Sequence, residues 1–280
     1  MPEAIVARRS TGNLFLDHLS ERAIEALRPP FATVSLKHGE LINDDQTASD
    51  RVLFPVNSVV SVVLDMSNGD TAEVGIIGCE GMTGLAIVLG QASVSQRSIV
   101  QIPDSAKCIP IEVFRAALET EPALKAFALR YAQAVLMASG RLSACNALHP
   151  TTERCARWLL MAHDRVGGGV LLLTQEFLGQ MLGVRRASVA LAEAELQTAG
   201  FISYSRGHVK IHNRAGLESA ACECYEAMDD EWKATMGYSL RVSSPATVSL
   251  AEKSGRFDGV VHPQEEFQHQ ETGLVFAGES

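Results

Sequence analysis

The chain has 280 residues, of which 46% are hydrophobic and 20% are charged, and its formal net charge is −9 at pH 7. This composition is typical of a folded globular protein and excludes wholesale disorder and a fibrous repeat. A net charge of −9 argues by itself against a polyanionic partner such as nucleic acid, so the distribution of charge along the chain decides whether such a partner fits.

The sequence shows no pattern of a membrane span or an export signal. No apolar run approaches the roughly 18 residues that a membrane-spanning helix needs. Two arginines near the N-terminus have no apolar stretch after them, so we expect a cytoplasmic location, no secretory signal and no membrane partner. The six cysteines lie mostly in apolar segments, which predicts reduced thiols without disulfides.

Residues 14–111 are predicted to form a jelly-roll β-barrel that begins with a helix over residues 14–27, ended by Pro29 and Pro30. The rest of this segment breaks into short β-branched runs separated by glycine, proline, aspartate and asparagine. Many short strands at intervals of about ten residues favour a jelly roll or a sandwich. The predicted strands are Thr33 to Leu36, Val52 to Phe54, Val59 to Leu64, Glu73 to Ile77, Ser98 to Ile102 and Lys107 to Ile111.

Residues 112–149 change to a helical period, and no breaker interrupts the pattern between Pro122 and Gly140. Apolar and small residues at alternating spacings of four and three form a coiled-coil seam. The seam residues are Leu124, Ala128, Tyr131, Val135, Ala138, Leu142 and Cys145. We interpret this helix as the contact between two copies of the chain; the alternative is a helix that lies on its own barrel.

Residues 150–214 carry the pattern of a winged helix-turn-helix. Thr174 is a suitable N-cap for one helix, Gly183 interrupts the chain, and a second helix is predicted from about Arg185 to Thr198. The segment 201–211 contains two short strand-like runs around Arg206 and Gly207 and is predicted to be the wing. The second helix of such a motif enters the major groove of DNA with its N-terminal turn.

The candidate DNA contacts lie on the first turn of the second helix, at the start of the preceding helix and on the wing. Arginine can pair in bidentate fashion with guanine, while hydroxyl, amide and basic side chains suit phosphates. The predicted DNA-binding residues are Thr174, Gln175, Arg185, Arg186, Ser188, Val189, Arg206 and Lys210. Two arginines beside the positive end of a helix dipole are unfavourable without an anion, which favours DNA contact over a merely solvated helix start.

The C-terminal part is predicted to contain a helix over residues 215–236 and a disordered acidic tail over residues 237–280. His208 and His212 could suggest zinc together with Cys222 and Cys224. Two histidines four positions apart on a strand lie far from each other, however, so we predict no metal site.

The charge is distributed unevenly between these segments. Residues 1–149 carry a net charge of −4, residues 150–214 carry +3 and residues 215–280 carry −8. The only positive segment is therefore the predicted helix-turn-helix, and the acidic total is compatible with a DNA partner.

In this order of segments the sequence resembles the Crp/Fnr family of bacterial transcription regulators over residues 14–215. The most specific stretches are TQEFLGQMLGVRRASV with the following wing and FPVNSVVSVVLDMSNGDTAEVGIIGCEGMTGL in the barrel. The resemblance implies an α+β fold with an N-terminal jelly-roll barrel, a long dimerisation helix and a C-terminal winged helix-turn-helix. It further implies a homodimer that binds a near-palindromic operator in double-stranded DNA, with RNA polymerase as a further partner.

The resemblance also bears on the effector. Family members that bind a cyclic nucleotide use a Gly-Glu pair for the ribose and an Arg-Ser or Arg-Thr pair for the phosphate. The nearest matches here are Gly78 with Glu80 and Arg97 with Ser98, although Cys79 splits the first pair and the interval between the pairs is longer. A cyclic nucleotide is thus one candidate, and no cofactor is evident. No cysteine precedes Cys79, which argues against the iron–sulfur cluster of other members.

An enzyme is not predicted, because only His18 and His38 precede the long helix and the sequence has no phosphate loop or nucleophile elbow. The alternative function is a ligand-sensing module, with a cyclic nucleotide as one candidate ligand, that acts through protein contacts. It predicts no salt-dependent affinity for any duplex.

Overall fold

Two antiparallel sheets build the N-terminal half of the protein in a computed structural model that describes residues 10–28, 31–43, 49–91 and 96–241. One sheet has the strand order β1-β7-β3 and the other the order β2-β6-β4-β5. The strands are β1 (Ala32–Ser35), β2 (Leu41–Asn43), β3 (Arg51–Pro55), β4 (Val59–Asp65), β5 (Thr71–Ile77), β6 (Arg97–Ile102) and β7 (Ser105–Pro110). Leu53, Val60, Val100 and Ala106 from both sheets share a buried core, so the two sheets pack against each other.

Each of the six predicted runs corresponds to a strand. The three-residue strand β2 was not predicted from the sequence. The hairpin between β4 and β5 closes at Gly69, whose φ of +89° favours glycine. The predicted helix over residues 14–27 is instead two short helices, α1 (Leu14–Asp17) and α2 (Glu21–Ala26). The reason is Ser20, which adopts an extended conformation and accepts the N–H of Ala23 as the cap of α2.

The short helix α3 (Leu85–Val88) lies between β5 and β6, and two helices, α4 (Ile111–Thr120) and the long α5 (Pro122–Leu148), connect the barrel to the C-terminal half. The seam of α5 that was predicted to face a second copy of the chain packs instead against other elements of the same chain. Leu124, Ala128 and Cys145 are buried, and the hydroxyl of Tyr131 both donates to the carbonyl of Met82 and accepts its N–H. The period of the seam marks a buried face correctly, but the barrel and the C-terminal helix cover it.

The C-terminal half contains a three-helix unit with a small sheet. Its elements are α6 (Thr151–Arg165), β8 (Val170–Leu172), α7 (Gln175–Leu182), α8 (Arg186–Thr198), β9 (Ile202–Ser205) and β10 (His208–Ile211). The strands form a sheet of order β8-β10-β9, in which β8 was not predicted. Trp158, Leu178, Val189 and Leu196 are among the residues that fill the core of this unit.

The predicted helix over residues 215–236 is two helices, α9 (Arg214–Ser219) and α10 (Cys224–Met236), and α10 packs along α5. Residues 237–241, predicted as the start of the disordered tail, pack on the rest of the protein. The hydroxyl of Tyr238 donates to the carbonyl of Glu80 at 2.7 Å, and the carboxylate of Asp229 accepts from Ser239. The remainder of the predicted tail lies outside the described residues. Among the described helices, none has the length and hydropathy to cross a membrane.

Candidate nucleic-acid interface

Helices α7 and α8 are joined by a tight turn that depends on two glycines. Gly183 ends α7 with a φ of +63°, and the N–H of Val184 then donates to the carbonyl of Gly179 at 2.9 Å. A Cβ atom on Gly179 would stand 2.9 Å from the carbonyl oxygen of Val184, so a larger residue would push the turn away from α7. At the other end of α7, the Thr174 hydroxyl accepts the N–H of Phe177, as predicted for its N-cap.

The first turn of α8 presents basic side chains to solvent. Arg185 is the N-cap residue and makes no capping hydrogen bond with its side chain, while Arg186 begins the helix. Both arginines are exposed, and Ser188 is half-buried. Val189, which was predicted to contact DNA, is fully buried in the core between α6 and α8, so this prediction is corrected.

The wing is a two-residue hairpin between β9 and β10. Ser205 and His208 are paired across it, and Arg206 and Gly207 between them have φ values of +49° and +80°. Positive φ at both central positions is the geometry of a type I′ turn. Arg206 is exposed at the tip and Lys210 is exposed on β10, so both predicted wing residues present their charges to solvent.

Gln175 is occupied within the helix-turn-helix. Its side-chain amide donates to Oε2 of Glu193 at 2.8 Å, which joins the start of α7 to α8. Burial raises the pKa of the Glu193 carboxyl above its usual value. Leu191 is a residue that sequence analysis did not include in the interface: it is 68% exposed on α8, one turn after Ala187. An exposed apolar side chain there is suited to contact a thymine methyl group.

The four residues considered for the effector are not brought together. A cavity of about 810 Å³ lies between β5, residues 82–87 and the middle of α5, and of these four only Ser98 lines it. Arg97 donates to Asp65 at 2.6 Å. Glu80 accepts the N–H of Gly78 and the Nε of Arg165, so both Gly78 and Glu80 serve the contact with α6.

A second buried carboxyl group also connects the barrel to α6. Glu73 accepts hydrogen bonds from the indole of Trp158 at 3.0 Å and from the hydroxyl of Ser61 at 2.6 Å. Burial raises the pKa of Glu73 to about 7. The barrel and α6 are thus joined by buried polar contacts.

The candidate metal ligands of the C-terminal part do not meet as the sequence suggested. His208 contacts the carbonyl of Arg206 and His212 contacts Ser203. Cys222 and Cys224 lie instead beside Cys145 and His149. The predicted helix across residues 215–236 is interrupted at this point, which leaves Cys222 in the connection and Cys224 at the first position of α10.

A comparison with known protein families identifies the unit that carries these arginines. A family model described as a Crp-like helix-turn-helix domain matches residues 153–220. The chain carries a Crp-like helix-turn-helix domain. The match contains all eight residues that were predicted to contact DNA. A comparison with curated protein sequences finds no match.

Solved structures extend the likeness beyond the Crp-like domain. A putative Crp/Fnr transcriptional regulator from Eubacterium rectale matches with a TM-score of 0.57 and 14% identity over 75% of this chain and 99% of that one. FixK2 from Bradyrhizobium japonicum matches with a TM-score of 0.51 and 19% identity, over 69% of this chain and 98% of that one. A putative cAMP-binding regulatory protein from Silicibacter pomeroyi matches with a TM-score of 0.52 and 20% identity, over 75% of this chain and 95% of that one.

These likenesses confirm the predicted α+β fold, in which a β-roll precedes a helix-turn-helix. The family match confirms the helix-turn-helix that was predicted within residues 150–214. The Crp-like domain begins near the start of α6, the helix whose buried side chains contact the barrel.

Proposed function

We propose that the protein binds a near-palindromic operator as a homodimer, regulates transcription by RNA polymerase from it and has no enzymatic activity of its own. The observation that carries this proposal is the exposure of Arg185 and Arg186 at the start of α8 within the Crp-like domain. No acidic residue stands in the first turn of α8, so both guanidinium groups are available to an anion.

Each exposed group of this surface suits a distinct part of the DNA. Arg185 and Arg186 would reach base edges in the major groove, where guanine offers two acceptors to one guanidinium group. Arg206 and Lys210 on the wing and Thr174 at the start of α7 would contact phosphates and set the orientation. Leu191 would add an apolar contact further along α8.

The dimer contact would use a face of α5 other than the predicted seam. Leu129, Gln133, Leu136 and Gly140 repeat at spacings of four, three and four, and all four are exposed. Leu136 is 73% exposed and Leu129, two turns before it, is 43% exposed, so the face presents apolar surface to solvent. A second copy of α5 packed along this face would bury it and hold the two α8 helices about one helical turn of DNA apart.

The cavity between β5 and α5 is the site proposed for the effector. Its walls are mostly apolar, and the guanidinium group of Arg157 lines it. Arg157 is buried, and its Nε and Nη2 atoms have no hydrogen-bond partner among the described residues. These features suit an apolar ligand with one anionic group better than a ligand held through Arg97, which pairs with Asp65.

Selection of bound duplexes from a random pool tests the proposal, followed by affinity measurements at several salt concentrations. We expect a selected site with two related half-sites and a steep loss of affinity with salt. Arg186→Ala should weaken binding to that site by about 10- to 100-fold and relax the preference at one base pair.

Arg115→Ala is the matched control, because Arg115 is an exposed arginine of α4 that pairs with Glu112 and lies outside the Crp-like domain. Its affinity should equal that of the unaltered protein. Absence of salt-dependent binding to any duplex would contradict the proposal and favour a module that acts through protein contacts.

A further inference from the structure

Three cysteines and one histidine from two distant segments meet at the end of α5. Cys145 and His149 are one helical turn apart, at the last turn and C-cap of α5. Cys222 comes from the connection between α9 and α10, and Cys224 is the first residue of α10. One ligand atom from each residue, three Sγ atoms and one imidazole nitrogen, lies within 4.8 Å of all the others.

The separations of these atoms suit a tetrahedral metal ion. The Sγ atoms of Cys145 and Cys222 are 3.5 Å apart, and the Sγ atom of Cys224 is 3.7 Å from Nδ1 of His149. Zinc binds thiolate sulfur at about 2.3 Å and imidazole nitrogen at about 2.0 Å, so two ligands of one tetrahedral ion are separated by about 3.5 to 3.8 Å. Three cysteines and one histidine are a common ligand set of structural zinc.

The imidazole of His149 is oriented by an acidic neighbour. Its Nε2 atom lies 3.1 Å from Oε1 of Glu223, while its Nδ1 atom faces the cysteines. A carboxylate on the distal nitrogen fixes the tautomer and the ring plane of a histidine that binds a metal through the other nitrogen. This contact is a second observation, independent of the cysteine cluster, that points to a metal ligand.

The surroundings of the cluster compensate negative charge. Arg157 is buried near Cys145 and carries a positive charge. Three thiolates around one Zn²⁺ carry a net charge of −1, which a neighbouring guanidinium group would stabilise. A surface cavity of about 440 Å³ lies against Cys145, His149 and Cys224 and offers an entry path for an ion.

We propose that Cys145, His149, Cys222 and Cys224 form a structural zinc site that ties the end of α5 to the start of α10. All four positions around the ion are filled by protein ligands, which is the arrangement of a structural site rather than a catalytic one. The site lies next to Pro150, immediately before α6 begins, and so holds the C-terminal helix at the junction between the long helix and the Crp-like domain.

Cobalt titration of the full chain tests this site without reference to DNA binding. The protein is purified with a reductant, stripped with a chelator and titrated with Co²⁺ and then Zn²⁺. We expect one Co²⁺ per chain with the intense visible absorption of a tetrahedral thiolate site, displaced by one Zn²⁺. Cys224→Ser and His149→Ala should lose this spectrum, and Cys79→Ser should keep it because Cys79 lies outside the cluster.

Glu223→Gln provides a measurement that does not remove a ligand. Glu223 is 74% exposed, so this variant should fold normally, and its zinc affinity should fall about 10- to 100-fold in chelator competition. An unchanged affinity in Glu223→Gln, or a tetrahedral cobalt spectrum that survives Cys224→Ser, would overturn the proposal. So would a metal-free protein in which mass spectrometry finds a disulfide between Cys145 and Cys222.

Discussion

Arg165 in α6 donates from Nε to Oε1 of Glu80 across 3.0 Å, and both side chains are almost completely buried. The second oxygen of Glu80 accepts the N–H of Gly78, and Nη1 of Arg165 donates to the carbonyl of Met161. Both carboxylate oxygens of Glu80 and two nitrogens of Arg165 thus have partners within the protein. A buried pair contributes little compared with apolar residues, but removal of one partner leaves an uncompensated charge.

Glu80→Ala should therefore lower the free energy of unfolding by about 3 to 5 kcal/mol, measured by urea denaturation. Asp50→Ala is the matched control, because Asp50 forms an ion pair of similar length with Arg51 at the surface. The control should leave the free energy of unfolding almost unchanged. Equal losses in the two variants would show that the Glu80–Arg165 pair is not specially important.

The pKa of Glu73, raised by burial from its usual 4.5 to about 7, makes stability depend on pH. Between these two values the native protein holds a proton that the unfolded chain has lost, so the free energy of unfolding falls as pH rises. The stabilisation lost between pH 4.5 and pH 7 is up to about 3 kcal/mol. Glu73→Gln should remove this component.

The measurement is the change in Tm between pH 5 and pH 8. From pH 5 to pH 8 the Tm of the unaltered protein should fall further than the Tm of Glu73→Gln. Glu112→Gln, which changes an exposed carboxyl group, should behave like the unaltered protein. Identical profiles for Glu73→Gln and the unaltered protein would contradict the assignment of this proton to Glu73.

Leu136→Glu should convert a dimer to a folded monomer, because it places a charge in the centre of the proposed contact between two copies of α5. Light scattering would report the mass, and the affinity for the selected operator should fall in parallel. Met66→Glu changes another exposed apolar side chain, in the hairpin between β4 and β5, and should remain dimeric. A dimer that persists in Leu136→Glu would place the contact on another face.

Arg206→Asn separates the charge of the wing from its geometry. Asparagine before glycine is favoured in a type I′ turn, so the hairpin should be at least as stable as with arginine at a φ of +49°. The loss of one phosphate contact should weaken DNA binding and reduce the slope of log K against log salt by about 1. Lys125→Gln, which removes one exposed charge from α5, should leave that slope unchanged.

The winged helix-turn-helix could be predicted because its determinants are local. Thr174, Gly183 and the Arg206-Gly207 turn each fix the backbone within a few residues, and each was found as expected. The seam of α5 was interpreted wrongly because a helical period identifies a buried face without identifying what covers it. α10 and the barrel cover that face, and the separation of α10 from α9 was itself not predicted.

The candidate DNA-binding residues were predictable only where local sequence determines their exposure. The exposure of Arg185 and Arg186 follows from their position at the start of a helix, whereas the burial of Val189 follows from the packing of α8 on α6. The cluster of Cys145 with Cys222 could not be predicted, because 77 positions separate them and no short motif joins them. Only the path of the chain after the wing brings the two segments together.

The packing of residues 237–241 sets a limit on how the acidic C-terminal segment can be removed. Tyr238 reaches the carbonyl of Glu80, the residue that pairs with Arg165, and Arg241 lies over the ring of Tyr225. A chain cut after Met236 would lose these anchors, and any change in its DNA affinity would mix the loss of charge with a loosened junction between barrel and α6. A cut after Arg241 removes only the segment beyond the anchors and isolates the effect of its charge.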